Sequence, residues 1–227
     1  MQVIRLERVT STQDFAEAVS EMVDGDFVVV AQEQTKARGR YGREWYSPRG
    51  GLWVTYVIKN FNVEEIGIST LKVALSIRNV LSRYVNAKIR WPNDIVINDK
   101  KVSGVLLEAI TMGERGTGFI GFGVNTNVTS FPQGIVATSL KLELGHEVDN
   151  DSLLEQILDK IGGYMVRDTD RIVAELNENL SIAEREVILK GKDWEKRCTA
   201  LFVDKLGRLV TECGIFEVEE VLRLETP

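Results

Sequence analysis

The sequence is poor in the residues that most often build metal sites and nucleophilic catalytic centres. Its 227 residues include one histidine, His146, and two cysteines, Cys198 and Cys213. Two cysteines are too few for a disulfide-rich framework or a four-ligand zinc site. We interpret His146, which lies in a glycine-containing turn, as a surface residue. A Ser-His-Asp triad and a cysteine nucleophile in the main domain are therefore not expected.

Long apolar runs and an excess of positive charge are also missing. No segment has the roughly 20 apolar residues that a membrane span needs, and charges at positions 5, 7 and 8 argue against a secretory signal. The formal charge is −6 and the pI is about 5.1, which argues against a broad nucleic-acid-binding face. We expect a soluble, cytoplasmic protein that binds neither membranes nor nucleic acid. With 44% hydrophobic residues, the chain can form one large domain, alone or with a small module.

Against this acidic background, one segment is basic. Residues 36–49 contain five Lys or Arg and one acid, so the rest of the chain carries 23 cations and 33 anions. A solvated basic loop would need no function, and charge alone does not decide against it. Gly39 and Gly42, placed among the arginines, favour a binding loop, because glycine allows positive φ and close backbone approach. Guanidinium groups in turn bind phosphate or carboxylate oxygens in pairs, so a small anionic ligand is the expected partner.

The hydrophobic pattern predicts strands on both sides of the basic segment, which makes the segment a loop. Helical spacing predicts helices over 66–85 and 151–178, and short runs separated by turn residues predict an antiparallel meander. The predicted strands of this part are 27–31, 51–58, 89–91, 95–97, 102–110 and 118–124, with turns at 92–94, 98–100 and 111–116. Strands at 187–189, 198–203 and 209–214 predict a small C-terminal β-barrel of about 45 residues.

Three further stretches each allow a structural and a functional interpretation. Residues 11–14 (S-T-Q-D) form a capping box before a short helix, and such an N-terminus can also hold a small polar ligand. Residues 90–94 (R-W-P-N-D) have the composition of an ordinary turn. Lys101 is placed like a solvated strand end, while Gly104 inside the same strand indicates a close approach to its backbone. The chain has no phosphate-binding P-loop, H-E-x-x-H or dinucleotide fingerprint.

Taken in order, these stretches resemble the landmark motifs of the biotin protein ligases, also called biotin-[acetyl-CoA-carboxylase] ligases. The family motifs are S-T-N, then G-R-G-R-x-x-R-x-W, then [KR]-W-P-N-D with K-[ILV]-x-G seven residues later. Here they read S-T-Q at 11–13, A-R-G-R-Y-G-R-E-W at 37–45, R-W-P-N-D at 90–94 and K-V-S-G at 101–104. Gln13 departs from the family's asparagine and Ala37 from its first loop glycine.

The resemblance implies an α+β fold with two domains. Residues 1–182 would form a class II synthetase-like catalytic domain, with a mixed, mainly antiparallel sheet packed against helices. Residues 183–227 would form an SH3-like β-barrel. Regulatory members carry a helix-turn-helix domain before the first motif, and because only ten residues precede Ser11 here, a repressor role is not expected.

The implied activity is a two-step protein biotinylation. Biotin and ATP give biotinyl-5′-AMP, and a lysine of a biotin carboxyl carrier protein then takes the biotinyl group, with Mg²⁺ as cofactor and a homodimer as the expected assembly. The resemblance assigns catalysis to Lys101, Arg40, Arg38 and Asp94, with Asp94 also a Mg²⁺ contact and a proton acceptor. It assigns biotin binding to Ser11, Thr12, Gln13, Gln34, Arg38, Gly39, Arg40, Lys101 and Gly104. It assigns adenylate binding to Arg40, Trp45, Arg43, Asn93, Asp94, Lys101 and Asn125.

Two alternatives compete with this reading of the chain. A lipoate-protein ligase shares the fold and the acyl-adenylate chemistry but lacks this loop signature. A non-enzymatic anion-binding or RNA-binding module could be built on the basic loop alone. The biotin ligase interpretation further predicts that residues 35–47 are a lid with few internal contacts, mobile until the adenylate orders it.

The two cysteines provide a separate prediction about register. If residues 204–207 are a hairpin turn, facing positions have a constant sum of 411, which places Cys198 opposite Cys213 within reach of a disulfide. A one-residue bulge would break that sum. The alternative is two reduced cysteines that pack as small apolar residues.

Overall fold

The computed structural model describes residues 1–112 and 115–227, which form two β-sheets and five α-helices. The predicted turn over 111–116 includes residues 113 and 114, which lie outside the described residues. The expected α+β fold, with a mainly antiparallel large sheet and a smaller sheet at the C-terminal end, is confirmed. The division at residue 182 stays a prediction.

The large sheet has seven strands in the order β1-β2-β3-β7-β6-β5-β4. Its strands are β1 Gln2–Val9, β2 Phe27–Gln34, β3 Leu52–Asn62, β4 Lys88–Arg90, β5 Asp94–Ile97, β6 Lys100–Met112 and β7 Arg115–Val124. β1 pairs parallel with β2, and all other neighbours are antiparallel. The sequence pattern did not predict β1, because this edge strand exposes most of its side chains and carries several charges.

Five helices pack on the large sheet or beside it: α1 Thr12–Val19, α2 Ile66–Leu81, α3 Leu140–Leu144, α4 Asn150–Met165 and α5 Thr169–Glu178. The predicted helix over 66–85 ends four residues early, at Leu81. The predicted helical region over 151–178 is two helices, because Asp168 caps a new one by accepting a hydrogen bond from the Arg171 amide. None of the described helices is long and apolar enough to cross a membrane.

The two faces of the large sheet are covered by different helices. Val28 and Val30 pack with α2 and α4 in one core, while Phe27 and Val29 pack with α1 in another. This alternation follows from the two-residue period of a strand. The face under α1 carries the candidate site described below.

The C-terminal sheet has five antiparallel strands in the order β11-β10-β9-β8-β12. They are β8 Glu186–Lys190, β9 Glu195–Val203, β10 Leu209–Thr211, β11 Gly214–Phe216 and β12 Arg223–Glu225. This sheet shares a hydrophobic core with α2 and α5, through Leu71, Leu75 and Leu176 among others. The indole of Trp91 also donates a hydrogen bond to the Gly207 carbonyl at 2.9 Å. The sheet is therefore packed directly against the main body.

A disulfide joins Cys198 and Cys213, whose Cα atoms are 5.8 Å apart. The predicted pairing is confirmed, but the predicted register next to the turn is wrong. Near the turn Leu209 faces Val203, so facing positions sum to 412, and a bulge after Val210 shifts the register so that Thr211 faces Ala200. From the bulge on, facing positions sum to 411, so the bulge that was expected to break the pairing instead restores the register in which Cys198 lies near Cys213.

Candidate active site

Three glycines form the floor of a cavity on the face of the large sheet that α1 partly covers. Gly104 on β6 faces Gly123 on β7, and Gly121 lies two residues away on the same face. A Cβ atom at Gly121 would lie 2.6 Å from the Gln13 Oε1, and one at Gly123 would lie 2.6 Å from the Trp45 indole nitrogen. The glycines therefore let side chains from other segments lie against the sheet, around a cavity of about 180 Å³.

Polar side chains from the start of α1 close one end of this cavity. Ser11 caps the helix by accepting a hydrogen bond from the Asp14 amide at 3.3 Å. The Gln13 amide is held by the sheet: its oxygen accepts from the Thr55 hydroxyl at 3.1 Å, and its nitrogen donates to Glu108 and to the Phe119 carbonyl, each at 3.0 Å. The longer side chain that replaces the family's asparagine is thus fully bonded within the protein.

Gln34 belongs to the same polar end of the cavity. Its Oε1 accepts hydrogen bonds from the Thr12 amide at 2.7 Å and the Thr12 hydroxyl at 3.1 Å, and its Nε2 donates to the Ser47 hydroxyl at 3.1 Å. Thr12 is buried and does not line the cavity. Thr12 therefore orients Gln34 and does not itself contact the cavity.

The basic loop, residues 35–47, folds back on itself like an irregular hairpin. Backbone hydrogen bonds join Gln34 to Ser47 at 3.0 Å, Trp45 to Ala37 at 2.9 Å and Gly39 to Arg43 at 2.7 Å. At the tip, Tyr41 and Gly42 have φ of 58° and 68°. Positive φ is confirmed at Gly42 but not at Gly39, whose φ is −100°.

The basic loop was expected to have few internal contacts, which its own backbone hydrogen bonds contradict. Arg38 adds contacts with residues outside the loop. Its Nη1 lies 2.6 Å from Glu108 Oε1 and its Nε lies 3.0 Å from Asp14 Oδ1. The hydrogen bond to Glu108 raises the pKa of Arg38 above its ordinary value. Sequence reasoning missed Glu108, although one signal was present: it follows Gly104 at an even spacing, so strand alternation turns its carboxylate towards the cavity face.

Arg40 is held in a different way, by neutral oxygens. Its Nη2 lies 2.5 Å from the Val218 carbonyl and 3.1 Å from the Val221 carbonyl, both in the segment between β11 and β12. Burial lowers the pKa of Arg40 from its ordinary value, but an arginine stays charged at neutral pH. Among the described residues, Arg40 forms no salt bridge with a carboxylate.

Lys101 is fixed by a carboxylate and an aromatic ring. Its Nζ lies 2.5 Å from Asp94 Oδ1 and 4.7 Å from the centroid of the Trp45 ring. The other oxygen of Asp94 accepts from Arg90 Nη2 at 3.1 Å. Burial alone would raise the pKa of Asp94, but the charges of Lys101 and Arg90 outweigh it, and the pKa lies below its ordinary value. Asp94 is therefore a weak proton acceptor that orients Lys101.

The structure brings most of the predicted site residues together. Eleven of the fourteen line the cavity: Ser11, Gln13, Gln34, Arg38, Gly39, Arg40, Arg43, Trp45, Asn93, Lys101 and Gly104. Asp94 and Asn125 line an adjoining, wider cleft of about 750 Å³ that also includes Arg40, Trp45 and Lys101. The Asn125 amide is itself bonded to the Thr138 carbonyl at 3.0 Å. These positions are observed, whereas the role of each residue stays a prediction.

The residues do not fit a protein-built Mg²⁺ site. Among the described residues there is no cluster of three or more His, Cys, Asp or Glu side chains that could hold a metal ion. Both oxygens of Asp94, the predicted Mg²⁺ contact, are already paired with Lys101 and Arg90. We therefore derive no catalytic step through a protein-bound metal.

Comparison with known protein families gives a match over just over half of the chain. Residues 5–125 match the family described as "Biotin/lipoate A/B protein ligase family". A biotin--[acetyl-CoA-carboxylase] ligase of Paracoccus denitrificans is 31% identical over 167 residues, which cover 66% of this chain and 67% of that protein. A bifunctional ligase/repressor BirA of Bacillus spizizenii is 32% identical over 66% of this chain. The chain spans about half the length of that relative, 49%.

Solved structures resemble the chain over its whole length. A biotin protein ligase from Aquifex aeolicus, in complex with biotin and ATP, has a TM-score of 0.84 and 27% sequence identity, covering 100% of this chain and 99% of that one. A biotin protein ligase from Leishmania major in complex with biotinyl-5-AMP has a TM-score of 0.70 and 25% identity, covering 100% and 98%. The similarity therefore includes the C-terminal sheet as well as the large one.

Proposed function

Because this chain belongs to the biotin/lipoate A/B protein ligase family, we propose that it is a biotin protein ligase. In the first step the biotin carboxylate attacks the α-phosphate of ATP, which gives biotinyl-5′-AMP and pyrophosphate. In the second step a lysine amine of a carrier protein attacks the mixed anhydride, forming an amide and releasing AMP. The observation that carries the proposal is the convergence of Arg38, Arg40 and Lys101 on one glycine-floored cavity with a polar end.

The first step needs cations at this place. A carboxylate and a phosphate oxygen 4 Å apart repel each other by about 4 kcal/mol at an effective dielectric constant of 20. We assign the position between the two anions to Lys101, whose ammonium is fixed by Asp94 and Trp45. Arg40, which has no carboxylate partner in the part of the chain that the structure describes, can add its charge to the phosphate. Preorganised charges of this kind stabilise the transition state without reorganising during the reaction.

The polar end of the cavity supports biotin over lipoate. The ureido ring of biotin has two N–H donors and a carbonyl acceptor, whereas the dithiolane ring of lipoate has none of these. Ser11 and Gln34 line this end, and the Ser11 hydroxyl can donate its own hydrogen while it accepts from the Asp14 amide. A purely apolar ring would leave the Ser11 hydroxyl hydrogen and the second Nε2 hydrogen of Gln34 without partners, at a cost of roughly 1–3 kcal/mol for each buried group.

The second step needs a protected intermediate. An acyl-adenylate exposed to water would hydrolyse before a carrier lysine reached it, so a loop that covers the adenylate favours transfer. The basic loop lies beside the cavity and contributes Arg38, Arg40, Arg43 and Trp45 to its lining. We assign it the role of that cover, with Trp45 against the adenylate.

The partners and the setting follow as parts of the proposal. The acceptor is the lysine of a biotin carboxyl carrier protein, and ATP brings Mg²⁺ on its phosphates. We expect a homodimer in the cytoplasm; β1, an edge strand of the large sheet, offers unpaired backbone groups for such an assembly. Light scattering at micromolar concentration tests the dimer, which particles of only 25 kDa would exclude.

The decisive experiment measures whether radiolabelled biotin is transferred to a carrier protein. Purified protein is incubated with radiolabelled biotin, ATP and a biotin carboxyl carrier domain, and in parallel with lipoate and its carrier. We expect a labelled biotinyl adenylate and then label on the biotin carrier. Transfer of lipoate but not biotin would favour the lipoate-protein ligase, and no transfer of either acid would favour a binding module.

A further inference from the structure

The tip of the basic loop contacts the connection between β11 and β12 of the C-terminal sheet. We call residues 218–221 of this connection the carbonyl loop. Beside the contacts of Arg40, the Tyr41 hydroxyl lies 3.0 Å from the Glu219 carbonyl and 3.4 Å from those of Val218 and Val221. The same hydroxyl lies 2.9 Å from Arg40 Nη2. Two adjacent residues thus contact three carbonyls about 180 positions further along the chain.

The chemistry of these groups decides the direction of each bond. A guanidinium only donates, so the Tyr41 hydroxyl accepts from Arg40, and its single hydrogen is left for the nearest carbonyl, that of Glu219. The hydroxyl therefore bridges the guanidinium and the carbonyl loop. The Arg40 guanidinium carbon also lies over the Tyr41 ring, 4.9 Å from its centroid, so Tyr41 contacts Arg40 through both its ring face and its oxygen.

Burial does not explain the conformation of Tyr41. Its φ of 58° is uncommon for a bulky aromatic residue, and such a conformation persists only where the surroundings impose it. The side chain is 50% exposed, so it gains little from the hydrophobic effect. The hydrogen bonds to Arg40 and the carbonyl loop are the contacts that remain to hold it.

We propose that Tyr41 is a positioning residue for the adenylate: its hydroxyl holds Arg40 at the cavity and ties the tip of the basic loop to the C-terminal sheet. This inference rests on the proposed biotin ligase function. The C-terminal sheet then stays fixed while the basic loop moves. When the basic loop closes over the adenylate, its tip binds the carbonyl loop again. Loss of the hydroxyl frees the tip without removing any charge from the site.

Tyr41→Phe tests this with a change of one oxygen atom. Tyr84→Phe is the matched control, since Tyr84 is also exposed, 43%, and lies in the turn after α2, outside every cavity described above. Enzyme loaded with labelled biotinyl adenylate is chased with unlabelled substrates, and release is followed with time. We expect Tyr41→Phe to release adenylate about tenfold faster, the effect of losing hydrogen bonds to a charged group. Adenylate formation should fall less than retention does, and Tyr84→Phe should match the wild type.

Hydrogen exchange of the ligand-free protein gives a second readout that does not depend on activity. We expect Tyr41→Phe to speed exchange in both segments, 38–44 and 217–222. Faster exchange in 38–44 alone would mean that Tyr41 only shapes its own turn, which overturns the proposal, as would unchanged adenylate retention in an active variant. A wild type that makes no adenylate would instead refute the proposed function, while the exchange data would still decide whether the contact exists.

Discussion

The root of the basic loop, residues 37–39, and its tip, residues 40–42, hold their arginines by opposite means. At the root, Arg38 is paired with two carboxylates, Asp14 and Glu108, and its charge is balanced inside the protein. At the tip, Arg40 is held by backbone carbonyls, which bind its N–H groups but carry no net charge. Two arginines that are equivalent by motif therefore differ in the charge that each can offer to an anionic substrate.

This difference assigns different tasks to the two residues. A guanidinium already neutralised by carboxylates adds little field at the substrate, so Arg38 serves mainly to fix the loop to α1 and β6. A guanidinium held by dipoles keeps a full positive charge and a defined direction, as electrostatic catalysis requires. Lys101 lies between these two cases in the charge that it can offer. Its partner Asp94 is shared with Arg90, so the three groups together keep one positive charge.

The largest effect should come from removing either of the two cations proposed to face the phosphate. We expect Arg40→Ala and Lys101→Ala each to cut adenylate formation at least about a hundredfold, the scale of losing one preorganised stabilising group. Arg38→Ala should cut it clearly less while lowering stability more. Pyrophosphate release measured with biotin and ATP, next to thermal unfolding of each variant, checks both halves. Near-normal synthesis by Arg40→Ala and Lys101→Ala would refute the mechanism, and an equal loss with Arg38→Ala would remove the contrast.

The next largest effect concerns stability at low pH, which should depend on the ion pairs of Asp94 but not on the carbonyl contacts of Arg40. Because the folded pKa of Asp94 lies below its ordinary 3.8, the folded state binds that proton less tightly than the unfolded state. The stability from its pairs is therefore fully present above pH 3.8 and is lost as the pH falls through the lowered value. The carbonyl contacts at the tip have no such dependence.

Asp94→Asn measures this contribution. At neutral pH we expect a loss of roughly 1–3 kcal/mol in the free energy of unfolding, since Lys101 and Arg90 keep their charges without the carboxylate. The difference from the wild type should shrink below pH 3.8. Urea unfolding at a series of pH values follows it, and a gap that stays constant down to pH 2 would show that the pair stores no pH-dependent stability.

How far the sequence predicts this site depends on the kind of group that makes each contact. The resemblance to the biotin protein ligases predicted that residues 90–94 and Lys101 belong with the basic loop, because the charged side chains and glycines of the motifs leave a signal in the sequence. The ion pair between Arg38 and Glu108 joins positions 70 residues apart, and only strand alternation pointed to Glu108. The contacts of Arg40 and Tyr41 could not be predicted at all, since every residue has a carbonyl and only the packing of the two sheets selects those of 218–221.

The fold divides in the same way. β2 and β3 were predictable because their apolar residues are buried on both faces of a central part of the sheet. β1 was not, because an edge strand needs no apolar pattern to pair its backbone. The disulfide shows the limit of register arithmetic, since a single bulge between Val210 and Thr211 moved the register by one residue.

A smaller effect tests whether Glu108 or Asp14 secures the root. Glu108→Gln should cost about 1 kcal/mol of stability, because the pair with Arg38 is partly exposed to solvent. Asp14→Asn should cost less, since Asp14 is more exposed and makes the longer contact, 3.0 Å against 2.6 Å. Urea unfolding of both variants gives the order, and an equal or larger loss with Asp14→Asn would place the anchor on α1 instead of β6.

The smallest effect concerns motion of the loop when substrate binds. We expect biotin with ATP to slow hydrogen exchange across residues 35–47, as the adenylate orders its cover. The change should be larger at 40–42 than at 37–39, because the root is already bonded to the sheet and α1, whereas the tip adds contacts with the substrate to its contacts with the carbonyl loop. Mass spectrometry of overlapping peptides resolves the two parts. Equal protection with and without substrates would show that the cover is permanently closed, and equal changes in both parts would show that the loop moves as one body hinged outside its root.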